Sequence, residues 1–276
     1  MKLTDDLALE VSGLRKTYGS VVAVDDVSFA IRRGGSLGLV GESGSGKTTI
    51  AKIILGLESA AAGQVRACGR DRTAAARTLG ERRRRAREVQ IVFQDPHSSL
   101  DPRQTIGSML EAVVRLHHRD LIAGERRQRV MDLLDMVGLH ERHTAALPRE
   151  MSGGQRQRAA IARALAAEPE VIVLDESVAA LDVSIQAQVL NLLADLRERL
   201  SVTYLLISHD LAVVRQLTDT AVVMCQGQLV ESGTTAQVLD DPQHIYTQRL
   251  RASVPGPTWV RRVSATPSIL DEGGAS

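Results

Sequence analysis

Residues Gly41-Glu42-Ser43-Gly44-Ser45-Gly46-Lys47-Thr48 constrain this chain more than any other stretch. They match G-x-x-x-x-G-K-[ST]. A short apolar run, Ser36 to Val40, precedes them and reads as a strand. An apolar stretch, Thr48 to Leu57, follows and reads as a helix. Glycines in such a turn let backbone N–H groups point at one anion with no Cβ in the way, and the helix N-terminus adds its positive end. In this setting Lys47 supplies a full charge to β- and γ-phosphates, and the Thr48 hydroxyl is a ligand for Mg²⁺.

A second constraint is Val171-Ile172-Val173-Leu174-Asp175-Glu176. Four apolar residues in a row mark a strand covered on both faces, and it delivers two acids at its C-terminal edge, where α/β sheets bind ligands. Alone, an Asp-Glu pair after a strand is commonly a solvated strand end. Together with Lys47 it gains chemical roles. Asp175 suits the Mg²⁺ shell, and Glu176 suits a general base polarising the attacking water.

A third is Met151-Ser152-Gly153-Gly154-Gln155-Arg156-Gln157-Arg158, about a hundred residues after the phosphate loop. Ser-Gly-Gly at a helix start offers a hydroxyl, exposed N–H groups and a helix dipole, which together make a second anion site. It could also be only an N-cap. One chain does not need two phosphate sites for one nucleotide, whereas two copies arranged head to tail do.

The remaining pattern alternates strands and helices, which predicts a three-layer α/β core. Leu7 to Val11, punctuated by Ser12-Gly13, reads as a strand. Val21 to Val24 and Val27 to Ile31 read as two more, with Asp25-Asp26 between them. Helices are expected over Ile106 to Leu116, Glu125 to Val137 (closing at Gly138), Ser152 to Ala167, Ile185 to Leu200 and Leu211 to Leu217. Strands are expected at Gly63 to Gly69, Val89 to Phe93 and Thr203 to Ile207, with a hairpin turning at Gly227. The helix-only block from about Pro96 to Glu150 reads as an inserted helical subdomain. The run Arg82 to Arg85 is open to two readings, a solvated helix face or a contact with lipid headgroups. The Pro/Gly/Ser-rich end from Val254 reads as mobile.

Composition excludes several classes. Net charge is +1 and aromatics are 2% of the chain, which gives no electrostatic or stacking case for nucleic acid. No run approaches the roughly 20 apolar residues that span a bilayer. The first ten residues lack an apolar core, so no signal peptide is expected there. Cys68 and Cys225 alone cannot form a disulfide framework or a four-thiolate zinc site, and a reducing compartment is expected.

The phosphate loop, the Ser-Gly-Gly-Gln signature and the acidic strand match, in type, order and spacing, the ATP-binding subunit of an ABC transporter, which the chain resembles from about Leu7 to Arg249. That resemblance implies a RecA-like P-loop NTPase core with an N-terminal antiparallel β subdomain (residues 1–95 and 165–235), a helical subdomain carrying the signature (96–164) and a C-terminal extension (236–276). It implies ATP and Mg²⁺ as ligands. It adds Ser43, Ser45, Thr49 and Gln155 to the nucleotide set, Tyr18 as a ring stacking on adenine, and Gln94 as a sensor of Mg²⁺ and the attacking water. His209 becomes a γ-phosphate contact, and Asp182, in Ala180-Leu181-Asp182, lies in a loop crossing a dimer interface. The implied catalytic set is Glu176, His209, Gln94 and Lys47, and the metal set is Thr48, Gln94 and Asp175. The implied partners are a second ATPase subunit (a paralogue is favoured), two permease subunits and, indirectly, an extracytoplasmic solute-binding protein. The implied location is the cytoplasmic face of the membrane.

Three stretches are similar to oligopeptide, dipeptide and nickel importers: Phe93 to Arg103, Leu181 to Asn191, and Asp241 to Thr247. Peptide import is the first reading. Nickel or another small solute is the alternative, then export, with a soluble ABC ATPase and a non-hydrolysing partner subunit as other classes. The segment Gln94 to Arg103, with the helical subdomain, is expected to receive a permease helix. The chain departs from the family pattern at four positions. Met151 replaces Leu, Ser177 stands where Pro is common, Ala179 stands where Ser is common, and Ile245 replaces the tail Pro. Ser177 and Ala179 are open to two readings, looser communication between sites or tolerated drift. Cys225 is the last cysteine, so no iron–sulfur cluster of the kind some relatives carry is expected.

Overall fold

The computed structural model describes residues 6–93, 100–176 and 182–253. It opens on β1 (Leu7–Tyr18) and β2 (Val21–Arg32), then β3 (Ser36–Val40), α1 (Lys47–Leu55), β4 (Ala62–Ala67), β5 (Arg70–Asp71), α2 (Leu79–Glu88) and β6 (Val89–Val92). The helices α3 (Ile106–His117), α4 (Ala123–Met136) and α5 (Gly153–Leu165) follow, with short 3₁₀ turns between α4 and α5. The rest is β7 (Val171–Asp175), α6 (Val183–Leu200), β8 (Thr203–Ser208), α7 (Leu211–Leu217), β9 (Thr220–Cys225), β10 (Gln228–Thr234), α8 (Thr235–Asp240) and α9 (Ile245–Ala252).

Two sheets form. The first has the order β2-β1-β4-β5 and is antiparallel. The second has the order β10-β9-β3-β8-β7-β6, parallel except for the β9–β10 hairpin. The apolar run of β7 serves two cores at once. Val171 and Val173 pack with the antiparallel sheet and α1, while Ile172 and Leu174 pack with α3, α5 and α6. This is the period-two signature of a strand buried on both faces. β3 lies between β8 and β9, so the phosphate loop leaves the middle of the sheet at its C-terminal edge.

The strand pattern differs from the sequence reading at two points. Ser12-Gly13 does not end β1, because a bulge there shifts the register between Val11 and Leu14, and Gly13 N–H donates to Ser28 Oγ at 2.8 Å. Asp25-Asp26 does not break β2. Asp26 takes φ +53 and the strand continues, with pairing to β1 holding it. The Arg82–Arg85 run also needs a correction, because only part of it faces solvent. Arg85 is buried, pairs with Glu81 and donates to the Arg72 and Ala74 carbonyls, so it ties α2 to the preceding loop.

α6 is bolted to the start of β3 by Arg197. Its guanidinium donates to Gly34 O (3.2 Å), Ser36 Oγ (2.6 Å), Leu217 O (3.2 Å) and both Asp219 carboxylate oxygens (2.9 and 2.8 Å). Arg197→Leu keeps an apolar stem and leaves these acceptors unmet. It is expected to cost about 2 kcal/mol, seen as a lower urea midpoint at unchanged slope.

Candidate functional site

After β3 the chain turns through residues 41–46 and enters α1. This turn is clamped from two sides. A Cβ on Gly41 would sit 2.2 Å from the Met224 carbonyl oxygen, and one on Gly46, at φ +105, would sit 2.2 Å from the Ala23 carbonyl oxygen. No other residue type fits at either place. The β9–β10 turn closes the clamp, with Gly227 N–H donating to Ser45 O at 3.1 Å and Asp25 N–H to Gly227 O at 2.8 Å.

Within the loop, Lys47 is buried and its ammonium donates to Gly41 O (2.8 Å), Glu42 O (2.7 Å) and Ser45 Oγ (3.3 Å). Burial pushes its pKa below the usual lysine range, against the opposing pull of the Glu176, Asp175 and Glu42 carboxylates. α1 starts at Gly46 with no side-chain cap, so its first-turn N–H groups are open to an anion. Thr48 is exposed at the mouth of the loop.

β7 brings the acids to the same edge. Burial and the neighbouring Glu176 raise the Asp175 pKa, while Lys47 and Lys52 oppose the shift. Glu176 takes φ +46, an uncommon conformation for a residue with a Cβ, and its N–H donates to Ile207 O at 2.9 Å. The turn aims its carboxylate at the residue after β8, and Glu176 Oε1 lies 3.0 Å from His209 Nδ1. A carboxylate bonded in this way is oriented through one oxygen, and among the described residues its second oxygen accepts no hydrogen bond, which suits it to take a proton.

Lys47, Asp175, Glu176 and His209 therefore converge on one edge. No hydrogen bond or ion pair among the described residues joins the phosphate loop to Ser152–Gln155, to Asp182 or to Tyr18. Ser152 caps α5 in a reciprocal box, its Oγ accepting from Gln155 N–H (3.3 Å) while Gln155 Oε1 accepts from Ser152 N–H (2.9 Å). The cap leaves the Ser152 hydroxyl proton available to a further acceptor. Gly154 has a packing reason of its own, since a Cβ there would lie 2.6 Å from Ile185 Cγ2 at the start of α6. Asp182 is exposed at the N-cap of α6. Tyr18 ends β1, exposed, with the Lys16 ammonium 4.9 Å from its ring centroid and Lys16 paired to Glu58 at 3.0 Å. Val21, paired opposite Tyr18, is also exposed, an apolar neighbour that sequence reasoning did not single out. Gln94, Ser177, Ala179, Ala180 and Leu181 lie outside the described residues, as do most of the segment Gln94 to Arg103 and the end from Val254.

The residues fit the expected ligands on structural grounds. The uncapped helix start and the buried ammonium suit a polyphosphate. Asp175 and Thr48 are hard oxygen donors of the kind Mg²⁺ takes, too few to fill its octahedral shell without phosphate and water.

Fold and site together define a phosphate-loop nucleotide-binding protein of the three-layer α/β class. Residues 24–179 match the ABC transporter family, and the chain belongs to that family. It is similar to the oligopeptide transport ATP-binding protein OppF of Lactococcus lactis, 44% identical over 243 residues, covering 88% of this chain and 75% of that protein. It is also similar to the oligopeptide transport ATP-binding protein OppD of Mycobacterium tuberculosis, 45% identical over 251 residues and 90% of this chain. The chain spans only 40% of the length of that mycobacterial relative. Among solved structures it superposes on the ATP-binding cassette MJ0796, a dimer in a post-hydrolysis state bound to ADP and Pi. The TM-score is 0.73 at 29% identity, covering 82% of this chain and 98% of that one.

Proposed function

We propose that this chain is the ATP-binding, ATP-hydrolysing subunit of an ABC importer for oligopeptides or dipeptides. The observation that carries the catalytic part is the convergence of buried Lys47 with Asp175 and the Glu176–His209 pair on one sheet edge. The solute class rests on relatives at 44–46% identity named for oligopeptide transport or peptide import.

On this reading each side chain has a task. The loop amides and Lys47 bind the phosphates. Tyr18, with Val21 opposite it on β2, offers an apolar face to a flat base. Thr48 and Asp175, with Gln94, would hold Mg²⁺, which when bound supplies charge neutralisation at the phosphate oxygens. Glu176, oriented by His209, takes a proton from the attacking water as the new oxygen–phosphorus bond forms and the bond to the leaving β-phosphate oxygen breaks. Ser152, Gly153, Gly154 and Gln155 serve a second ATPase subunit, because a reciprocal pair gives each phosphate group its second anion site. The dimeric form of MJ0796 supports this arrangement. Among the described residues no helix is long and apolar enough to cross a membrane, so the chain would reach the cytoplasmic face by docking on two permease subunits that receive solute from an extracytoplasmic binding protein.

The test is uptake in a strain lacking this chain. Uptake of a labelled oligopeptide should fall to background and return with the wild-type chain but not with Lys47→Ala. Unchanged peptide uptake together with lost nickel uptake would overturn the peptide assignment.

A further inference from the structure

The C-terminal segment folds back onto the phosphate loop through one side chain. On β10, Glu231 accepts the Gln243 N–H at 2.8 Å through Oε1 and the His244 N–H at 3.2 Å through Oε2. His244 Nδ1 in turn accepts the Tyr246 N–H at 3.2 Å and caps α9. These bonds seat the start of α9 so that Tyr246, half-buried against the larger core, brings its hydroxyl to the Glu42 N–H at 3.1 Å. The two residues are 204 positions apart in the sequence.

Glu42 is the second residue of the phosphate loop. Its N–H belongs to the same peptide unit as the Gly41 carbonyl oxygen, which accepts the Lys47 ammonium at 2.8 Å. One planar amide is thus held at both ends, by a phenol oxygen on its N–H and an ammonium on its oxygen. Because the peptide group is planar, fixing the N–H direction fixes the carbonyl direction. Each bond also polarises the amide in the sense that strengthens the other.

We propose that Tyr246 is a positioning residue for the phosphate loop. It sets the Gly41–Glu42 peptide plane, through that plane the seat of Lys47, and so makes nucleotide affinity depend on how residues 241–253 are docked. The inference rests on the ATP-binding reading above. Tyr246 acts through Lys47 and the loop backbone, so its effect belongs to binding rather than to the chemical step.

Tyr246→Phe removes the hydroxyl and keeps the ring. In the full chain, with Mg²⁺ present, ATP hydrolysis is followed against ATP concentration and binding of a fluorescent ATP analogue is titrated in parallel. KM and Kd are expected to rise about three- to tenfold, the effect of one hydrogen bond, with kcat within twofold of wild type. Glu231→Gln should move KM and Kd in the same direction, and the double variant should be no weaker than Tyr246→Phe alone. Unchanged KM and Kd in Tyr246→Phe, or a fall in kcat at constant KM, would overturn the proposal. Fully additive effects of the two changes would overturn the route through Glu231. A wild-type chain that binds no ATP analogue would overturn the nucleotide reading itself, before any variant is compared.

Discussion

Glu176→Gln is expected to lower ATP hydrolysis by about 10²- to 10⁴-fold, the range a positioned general base contributes. The substitution is isosteric, and the amide oxygen can still face His209 Nδ1, so the contact seen at 3.0 Å has a replacement. What disappears is the second carboxylate oxygen as a proton acceptor. ATP binding should stay within about threefold of wild type, because the phosphate contacts lie on the loop and α1. Single-turnover hydrolysis and equilibrium nucleotide binding, measured on the same preparation, separate the two effects. Turnover within tenfold of wild type would remove Glu176 from the chemistry.

Lys47→Ala acts on binding. Among the described residues the ammonium has only loop oxygens as hydrogen-bond partners, Gly41 O, Glu42 O and Ser45 Oγ, and it is already desolvated. Its charge is therefore poised for phosphate oxygens at little further cost in hydration. Losing two charge-assisted hydrogen bonds is worth about 3–4 kcal/mol, or roughly two to three orders of magnitude in Kd for ATP. Fold stability should change much less, since a buried ammonium's desolvation cost goes with it. Nucleotide titration checks the first statement and a urea melt the second. An alanine variant that binds ATP as wild type does would show that the loop amides suffice.

The parts of this molecule legible in the sequence are those whose physics is local. Gly41 to Thr48 identifies itself because a strand, a glycine turn, a lysine and a helix start must be contiguous to cradle phosphate. Val171 to Leu174 identifies itself because only a strand covered on both faces is apolar at every position. Gly138 closes α4 as its position after the last apolar residue implied, with φ +68. The less legible parts depend on partners distant in sequence. Ser12-Gly13 and Asp25-Asp26 look like breaks until β1 and β2 are paired, when each becomes an irregularity inside a long strand. Arg85 looks like one of four solvated arginines until the loop carrying Arg72 and Ala74 folds over it. The meeting of Glu176 with His209 spans 33 residues and came from family resemblance, since neither residue's neighbours announce it. The contact of Tyr246 with Glu42 had no signal in the local pattern, because the phenol and the amide become neighbours only when α9 is seated.

The division of β7 between two cores has a mechanical consequence. Odd and even side chains of one strand are keyed into separate apolar layers, so neither layer can slide across the sheet without dislodging the other. The central sheet therefore behaves as a stiff diaphragm rather than a hinge. Displacement is easier at its rim, where the chain bends at Glu176, and for helices such as α3 and α4, whose buried side chains engage one layer only.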